Sequence, residues 1–329
     1  MLRSLTAQHD RFALSRPFRI SRGVKTFADV ITVTIAEGEA AGRGEGVPYP
    51  RYGESLETSL AAIEGVRPAV EAGAGRNELQ SLLPPGAARN AVDCALWDLE
   101  ARRAGLDVAG MAGISAPAPL VSAITLGIDT PDTMAQVALR HRDAPLLKVK
   151  VDSDDPAARI RAVRAAAPAA ALIVDPNESW DQRLLEDMQP ILLECEVDLV
   201  EQPVPAEEDS WLAGFAPAVP ICADEAVHVA GDLERIALRY QAVNVKLDKT
   251  GGLTAALDLA RAAQARGLIL MTGCMVSSSL SIAPAFHVAA LSDFVDLDGP
   301  LWLREDRAGG VRDEGGMLIP PEAGFWGNR

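Results

Sequence analysis

Eight short apolar segments recur along the middle and later parts of the chain, and they constrain its fold more than any other feature. They read VSAITLG, LLKVKV, ALIVD, VDLVEQP, PICADE, AVNVKLD, LILMTG and FVDLD, with alanine-rich helical stretches between them. Strands that alternate with helices in this way form βα units, whose parallel strands close into a barrel. The region from Leu120 to Asp298 is shorter than a typical eightfold barrel of about 250 residues, and no helical pattern follows its last strand. The sequence therefore predicts an α/β fold with a TIM-like barrel that lacks its eighth helix.

The residues before this repeat predict a smaller α+β unit. DVITVTIAEGEAAGRGEG alternates apolar residues with threonine and has a turn at Glu37-Gly38, as expected of a hairpin. Helical patterns begin near Ser55 and again near Ala87, where Gly105 can end the helix. Three glycines lack the spacing of a phosphate loop and are interpreted as strand and turn glycines: Gly42, Gly44 and Gly46.

These patterns divide the chain into three parts. We predict an α+β domain at residues 1–116, a barrel domain at 117–299 and a C-terminal segment at 300–329. The last segment is rich in glycine and proline, and we expect it to return to the first domain.

Composition excludes several classes of protein. The 329 residues are 48% hydrophobic, enough for a large core, and their formal net charge is −15 without a basic run. A nucleic-acid or acidic-membrane partner is therefore not expected. Four cysteines lie far apart without a CxxC pair, which argues against a zinc site and a disulfide framework. With no signal-peptide or membrane-spanning pattern, we expect a cytoplasmic protein, and a monomer and a homo-oligomer both remain open.

A charged residue stands at the end of five successive predicted strands, each about one βα unit after the previous one. Alone, Asp175 or Asp224 would be interpreted as a turn former or a helix N-cap. Barrel enzymes, however, place catalysis where the carboxyl ends of the strands meet, and five residues in register predict a site there. The five are Lys150, Asp175, Glu201, Asp224 and Lys246.

The three carboxylates predict a metal site. Asp175, Glu201 and Asp224 would repel one another on one barrel face unless a cation lay between them. A ligand set of oxygen atoms suits a hard divalent ion, and Mg²⁺ with open positions for water and substrate fits best. No histidine accompanies them, which weighs against zinc.

The lysines predict acid–base chemistry. Lys148 and Lys150 share one face of LLKVKV, and in a parallel sheet that face is covered; on an edge strand both would face water. A neighbouring cation lowers the pKa of a lysine, so that Lys148 and the metal can make Lys150 a neutral base. Lys246 would lie on the other side of the carboxylates. Two such groups suit the removal of a proton from one face of a substrate and its return to the other.

This arrangement resembles the muconate-lactonising subgroup of the enolase superfamily, which uses lysine or histidine bases and Mg²⁺. The resemblance covers nearly the whole chain and implies an N-terminal capping domain, completed by the C-terminal segment, on a (β/α)7β barrel. Mandelate-racemase-like members use a late barrel histidine, whereas here no histidine follows LILMTG before His287. The implied intermediate is an enediolate stabilised by Mg²⁺ and Lys148, with Lys150 and Lys246 exchanging the roles of acid and base.

The pair Asp296 and Asp298 in FVDLDGP resembles the DxD of dipeptide epimerases, in which two carboxylates hold the α-ammonium of the substrate. Asp298 alone could equally belong to an Asp-Gly turn. Other stretches, such as NESW, EQPVPA, ICADE and VKLDKTGGL, are similar to the L-Ala-D/L-Glu epimerases. These usually read VDAN where this chain has VDPN, and Pro176 should keep Asp175 extended.

The resemblance implies a dipeptide substrate, most specifically L-Ala-L-Glu and L-Ala-D-Glu. A cation from the capping domain would bind the glutamate side chain, with Arg22 the first candidate and Lys25 and Arg51 its competitors. Other dipeptides, N-acylamino-acid racemisation and o-succinylbenzoate synthesis remain alternatives within the superfamily. Outside it, a Schiff-base aldolase also places a lysine at the end of a barrel strand, and a non-enzymatic scaffold would be expected to have lost ligands.

Overall fold

The computed structural model describes residues 3–327. Its N-terminal domain begins with a three-stranded antiparallel sheet in the order β1-β2-β3. The predicted hairpin is confirmed as β2 and β3, with Gly38 at a φ of 65° in its turn, and a long first strand is added to it. The strands are β1 (Arg3–Ile20), β2 (Gly23–Glu37) and β3 (Ala40–Gly46).

Four helices complete this domain, and the two that were predicted are confirmed. The Oγ atom of Ser55 accepts a hydrogen bond from the amide of Thr58 at 3.1 Å and so caps α1. Gly105, at a φ of 62°, ends α3 in the left-handed conformation that favours glycine. The helices are α1 (Leu56–Glu71), α2 (Arg76–Leu82), α3 (Ala87–Ala104) and α4 (Val108–Ala112).

The glycines of β3 allow this strand to lie directly against α3. A Cβ atom on Gly44 would be 2.2 Å from the carbonyl oxygen of Ala91. Gly42 and Gly46 would meet the carbonyl oxygens of Ala95 and Ala87 at the same distance. The glycine pattern is therefore a packing requirement of the sheet on the helix.

The barrel consists of eight parallel strands that hydrogen-bond in chain order. All eight predicted strands are present, and the amide of Ala123 donates to the carbonyl of Val295 at 2.8 Å, which joins the first side of the barrel to the last. The short β4 (Leu120–Val121) precedes them. They are β5 (Ile124–Leu126), β6 (Leu146–Lys150), β7 (Ala171–Asp175), β8 (Leu199–Glu201), β9 (Ile221–Ala223), β10 (Ala242–Val245), β11 (Ile269–Gly273) and β12 (Phe294–Asp296).

Helices cover the outside of the barrel, but the last strand has none after it. A 3₁₀ segment, Asp209–Gly214, stands where a helix would join β8 to β9. After β12 only the 3₁₀ segment Gly299–Trp302 follows, and residues 303–327 contain no α-helix, as predicted. The barrel helices are α5 (Pro131–Arg140), α6 (Pro156–Ala166), α7 (Gln182–Glu194), α8 (Leu233–Ile236), α9 (Leu247–Thr250), α10 (Leu253–Gln264) and α11 (Ser279–Ala289).

The C-terminal segment touches both domains. The indole of Trp326 donates to the carbonyl of Arg43 at 2.8 Å, and the amide of Arg304 donates to the carbonyl of Ala13 at 2.8 Å. Two short strands, β13 (Arg312–Asp313) and β14 (Met317–Ile319), pair with each other, and β14 also pairs with β4. The domain boundaries at residues 116/117 and 299/300 stay predictions. No helix within residues 3–327 is long and apolar enough to cross a lipid bilayer.

The contact between β3 and α3 predicts a large difference between two glycine substitutions. Gly44→Ala should lower the free energy of unfolding by about 1–3 kcal/mol, because its methyl group collides with helix backbone. Gly65→Ala in α1 is the matched control, since a Cβ there meets nothing within 4 Å. It should stabilise the protein by roughly 0.5–1 kcal/mol through helix propensity. Urea denaturation measures both, and equal stabilities would contradict the packing argument.

Candidate active site

The barrel interior has an apolar lower layer and a charged upper layer. Alternate side chains of each strand point inward, and the lower positions form a buried cluster that includes Leu146, Ile173, Leu199, Cys222, Ala242 and Met271. Two residues further along β6, β7 and β8, the same alternation brings Lys148, Asp175 and Glu201 to the interior. Their side chains are at most 2% exposed. The period of the strands thus places the predicted charged residues together above a closed floor.

Lys148 lies at the centre of the charged layer. Its ammonium nitrogen is 2.6 Å from Glu201 Oε2, 2.7 Å from Asp296 Oδ2 and 3.1 Å from Asp175 Oδ2. Burial lowers the pKa of Lys148, but these three carboxylates outweigh it and hold that pKa well above its usual value. Lys148 therefore carries a positive charge among three buried anions.

Lys150 and Lys246 lie on opposite flanks of the carboxylates. Lys150 Nζ is 2.5 Å from Asp175 Oδ2 and 2.9 Å from Asn177 Oδ1. Lys246 Nζ is 2.6 Å from Asp224 Oδ2 and 3.7 Å from Glu201 Oε1. Burial lowers the pKa of Lys246, but Asp224 and Glu201 raise it above its ordinary value. The two predicted acid–base lysines are thus separated by the predicted metal ligands.

The three predicted metal ligands have the chemistry of a hard-cation site. Asp175, Glu201 and Asp224 are buried and end or directly follow three adjacent strands. Burial and the neighbouring Asp175 raise the pKa of Glu201, whereas Lys150 and Lys148 overcome burial and lower the pKa of Asp175 to about 2. Buried anions of this kind require positive charge nearby.

In this structure lysine ammoniums supply that charge. Within the described residues, 3–327, no group of three or more His, Cys, Asp and Glu side chains is arranged to hold a metal ion. Lys148 Nζ lies between Asp175 and Glu201, and Lys246 and Lys249 both hold Asp224. The three carboxylates supply the oxygen ligands that a hard divalent ion prefers, so the chemistry of the donor set fits Mg²⁺.

The pair Asp296 and Asp298 lines the same cavity. Asp296 is paired with Lys148, and the Oδ2 atom of Asp298 accepts hydrogen bonds from the amide of Thr125 at 2.8 Å and from the indole of Trp302 at 3.3 Å. Burial and the neighbouring Asp296 raise the pKa of Asp298 to about 6. The two carboxylates therefore form a buried acidic wall of the cavity, and Asp296 joins it to Lys148.

Of the three candidate cations of the first domain, two line the cavity. Arg22 and Lys25 are among the lining residues, whereas Arg51 is paired with Glu178 and Glu207. Burial and the nearby Arg22 lower the pKa of Lys25, which makes it the weaker permanent cation. Arg22 stays the first candidate for binding an anionic side chain.

Several side chains of the site were not predicted from the sequence. Lys249 Nζ lies 2.6 Å from Asp224 Oδ1, and the buried Glu225 lies 2.7 Å from Arg22 Nη2. Asn177 contacts Lys150, and Asn244 donates to Glu201 Oε1 at 2.8 Å. Asn244 could have been found, since it precedes Lys246 by two positions on the same strand face. The side chain of Lys249 enters from a helical turn, where strand alternation gives no guide.

Two family models match this chain. One, described as mandelate racemase/muconate lactonizing enzyme, N-terminal domain, matches residues 3–113, and another, described as enolase C-terminal domain-like, matches residues 132–325. Together they cover most of the sequence. The chain belongs to the mandelate racemase/muconate lactonizing enzyme family. The predicted membership of the enolase superfamily, the barrel and the capping domain are thereby confirmed.

Individual relatives are similar over nearly their full lengths. An L-Ala-D/L-Glu epimerase of Escherichia coli is 46% identical and aligns over 93% of this chain and 96% of its own. An N-acetyl-D-glutamate racemase of Pseudoalteromonas is 44% identical and aligns over 91% of this chain and 95% of its own. The structure also matches an enolase family member from Agrobacterium tumefaciens, solved with bound sodium and L-Ala-L-Glu. The TM-score is 0.96 at 49% identity, covering 99% of this chain and all of the other. Three further solved dipeptide epimerases, 27–32% identical, hold Mg²⁺ with a dipeptide.

The carboxylate cluster generates a prediction about metal binding. Glu201→Gln removes one anion from the three-carboxylate set, so Mg²⁺ should bind at least about tenfold more weakly and turnover should fall below detection. Titration calorimetry measures the binding, and circular dichroism checks that the variant stays folded. Glu194→Gln, at the exposed end of α7, is the control and should bind Mg²⁺ like the wild type. Full activity of the wild-type enzyme in excess EDTA would contradict the metal site.

Proposed function

We propose that this protein is a Mg²⁺-dependent epimerase that inverts the C-terminal residue of dipeptides, with L-Ala-L-Glu and L-Ala-D-Glu as its substrates. One observation carries the proposal: two lysines that flank three buried carboxylates line the same cavity as Asp296 and Asp298. The first arrangement suits transfer of one proton across a carbon atom, and the second suits a substrate with a free ammonium group.

Asp175, Glu201 and Asp224 would hold the Mg²⁺ ion. When bound, the ion would neutralise the substrate's C-terminal carboxylate and so acidify the adjacent α-proton. In this structure Lys150 and Lys246 are paired with Asp175 and Asp224. A lysine that is released from such a pair as a neutral amine would be able to act as a base.

Lys150 and Lys246 carry out the proton transfer. From one epimer, the neutral amine of one lysine takes the α-proton, and the ammonium of the other donates a proton to the opposite face. For the other epimer the two lysines exchange roles, since the chemistry is reversible. Lys148 donates hydrogen bonds to the carboxylate of the substrate as negative charge accumulates there, and its permanent positive charge suits this role.

The ends of the dipeptide are bound by oppositely charged groups. Asp296 and Asp298 accept charge-assisted hydrogen bonds from the α-ammonium. Arg22 binds the γ-carboxylate of the glutamate residue from the capping side. Its guanidinium suits this task because it forms planar, two-point contacts with carboxylates.

N-acylamino-acid racemisation is the second candidate. A relative named N-acetyl-D-glutamate racemase is almost as similar as the E. coli epimerase, and both names contain glutamate. Arg22 would serve both substrates equally. The acidic pair distinguishes them, because an N-acetyl group would leave Asp296 and Asp298 facing an amide without positive charge.

We also place the enzyme in the cytoplasm. Its four cysteines are all free, and three of them are buried, as suits a reducing compartment.

The choice of substrate leads to a direct comparison of three compounds. The α-proton of the glutamate residue in L-Ala-L-Glu should exchange with D₂O. For N-acetyl-L-Ala-L-Glu the kcat/KM of this exchange should be about 30- to 4,000-fold lower, because the ion pair between the α-ammonium and the buried carboxylates is lost. Proton NMR measures both compounds beside N-acetyl-L-glutamate. Asp298→Asn should reduce the difference in kcat/KM between L-Ala-L-Glu and N-acetyl-L-Ala-L-Glu. Faster exchange of N-acetyl-L-glutamate would favour the racemase.

The assignment of two bases can be tested one face at a time. Lys246→Ala should abolish epimerisation, yet Lys150 should still exchange the α-proton of one epimer with D₂O. Lys150→Ala should retain exchange of the opposite epimer only. NMR on L-Ala-L-Glu and L-Ala-D-Glu separates these outcomes, and epimerisation of both isomers by Lys246→Ala would make Lys246 a structural residue.

The pKa of Asp298, raised to about 6, predicts a pH dependence. Above that pH the carboxylate is ionised and attracts the ammonium, whereas below it the protonated acid does not. The kcat/KM for L-Ala-L-Glu should therefore fall as the pH is lowered through about 6, since this ratio reports ionisations of the free enzyme. Asp298→Asn cannot titrate, so its profile should lose this decrease. An unchanged profile in the variant would assign the decrease to another group.

A further inference from the structure

The side chain of Glu178 joins two loops of the capping domain to the barrel. We define these capping loops as the hairpin tip, residues 20–23, and the segment 47–55 after β3. One oxygen of Glu178 accepts from Arg51 Nε at 2.8 Å and from Arg22 Nη1 at 3.2 Å. The other accepts from Arg51 Nη2 at 2.8 Å and from the amide of Ala206 at 3.0 Å. A single barrel carboxylate thus holds one arginine from each capping loop.

The position of Glu178 makes these contacts strong. Its side chain is 8% exposed, and Arg51 binds it through two parallel hydrogen bonds, the geometry in which arginine and carboxylate pair best. Nearby Asn177 adds a backbone contact, because its carbonyl accepts from Ser21 Oγ at 3.1 Å. By contrast Glu207, the other partner of Arg51, is 68% exposed and contributes little by comparison.

The site beneath these loops is closed. Lys148, Lys150, Lys246, Asp296 and Asp298 are each at most 7% exposed, and the cavity that they line is about 60 Å³. A dipeptide can reach these residues only if the capping loops open. The contacts that hold the loops down therefore control entry of the substrate and formation of the closed complex.

We propose that Glu178 is a positioning residue that latches both capping loops onto the barrel and so fixes Arg22 for the side-chain carboxylate of the substrate. Arg22 is also held by Glu225 at 2.7 Å. Arg51 and the amide of Ala206 bind Glu178 independently of Arg22, so the latch does not depend on Arg22 alone. The role of Arg22 rests on the proposed function, whereas the latch itself rests only on the contacts described.

Glu178→Gln tests the latch because it keeps the size of the side chain and removes its charge. The KM for L-Ala-L-Glu should rise about tenfold or more, while kcat should change less than about threefold, since the reacting groups are untouched. Without substrate, the backbone amides of the capping loops should exchange hydrogen faster than in the wild type. Mass spectrometry of peptic fragments measures this second effect independently of activity.

Two further variants complete the experiment. Glu207→Gln removes the exposed partner of Arg51 and should leave KM, kcat and loop exchange within about twofold of the wild type. Arg51→Gln breaks the same contact from the capping side and leaves the barrel loop unaltered. It should raise KM and loop exchange as expected for Glu178→Gln, and it therefore tests the latch even if Glu178→Gln does not fold.

Two results would overturn the latch. In the first, Glu178→Gln and Arg51→Gln show the same loop exchange and the same KM as Glu207→Gln. In the second, Glu178→Gln and Arg51→Gln lose kcat while their KM is unchanged. If wild-type enzyme does not turn over L-Ala-L-Glu, the proposed function fails by itself. Loop exchange would then still decide the latch, since faster exchange in Arg51→Gln than in Glu207→Gln supports it and equal exchange refutes it.

Discussion

The balance of charge inside the barrel is the constraint on which the rest of the structure depends. Asp175, Glu201 and Asp224 are buried side by side, and burial of unpaired carboxylates is far too costly for a folded protein. Lysines supply the compensating charge here, and they come from strands on either side of the carboxylates. Lys150 and Lys246, to which we assign the acid and base roles in the proposed function, thus also stabilise the buried carboxylates of the fold.

This charged layer requires a cover that excludes water, and buried polar contacts fix the cover to the barrel. Asp248, which follows β10, accepts hydrogen bonds from Asn90 on α3 and from the amide of Val47, both at 2.8 Å. Glu45 on β3 is fully buried and accepts from the amide of Ser278 at 2.8 Å and from Arg307 at 3.0 Å. The capping domain, the barrel and the C-terminal segment thus meet through satisfied polar groups, which specify one relative placement better than apolar packing alone.

The sequence predicted the parts of this design that follow from strand periodicity. Alternation along LLKVKV and the spacing of the strand ends placed Lys150, Asp175 and Lys246 in one site, because a parallel barrel admits only one such geometry. It could not place residues that enter from loops and turns. Glu178 is 28 residues from Ala206 and 127 from Arg51, which reaches it from another domain. Such contacts depend on how two domains dock, which local patterns do not encode.

The turn after β7 shows how the two kinds of residue are connected. Asn177 and Glu178 have φ values of 47° and 65°, a left-handed conformation that costs about 1 kcal/mol for each non-glycine residue. The strain is compensated because the turn directs three groups at once. Asp175 ends the strand towards the carboxylate cluster, Asn177 contacts Lys150, and Glu178 reaches the arginines of the capping loops. A turn without these left-handed residues would not direct the three side chains to these partners. The strained turn therefore connects Lys150, the proposed acid–base residue, to the arginines of the capping loops above it.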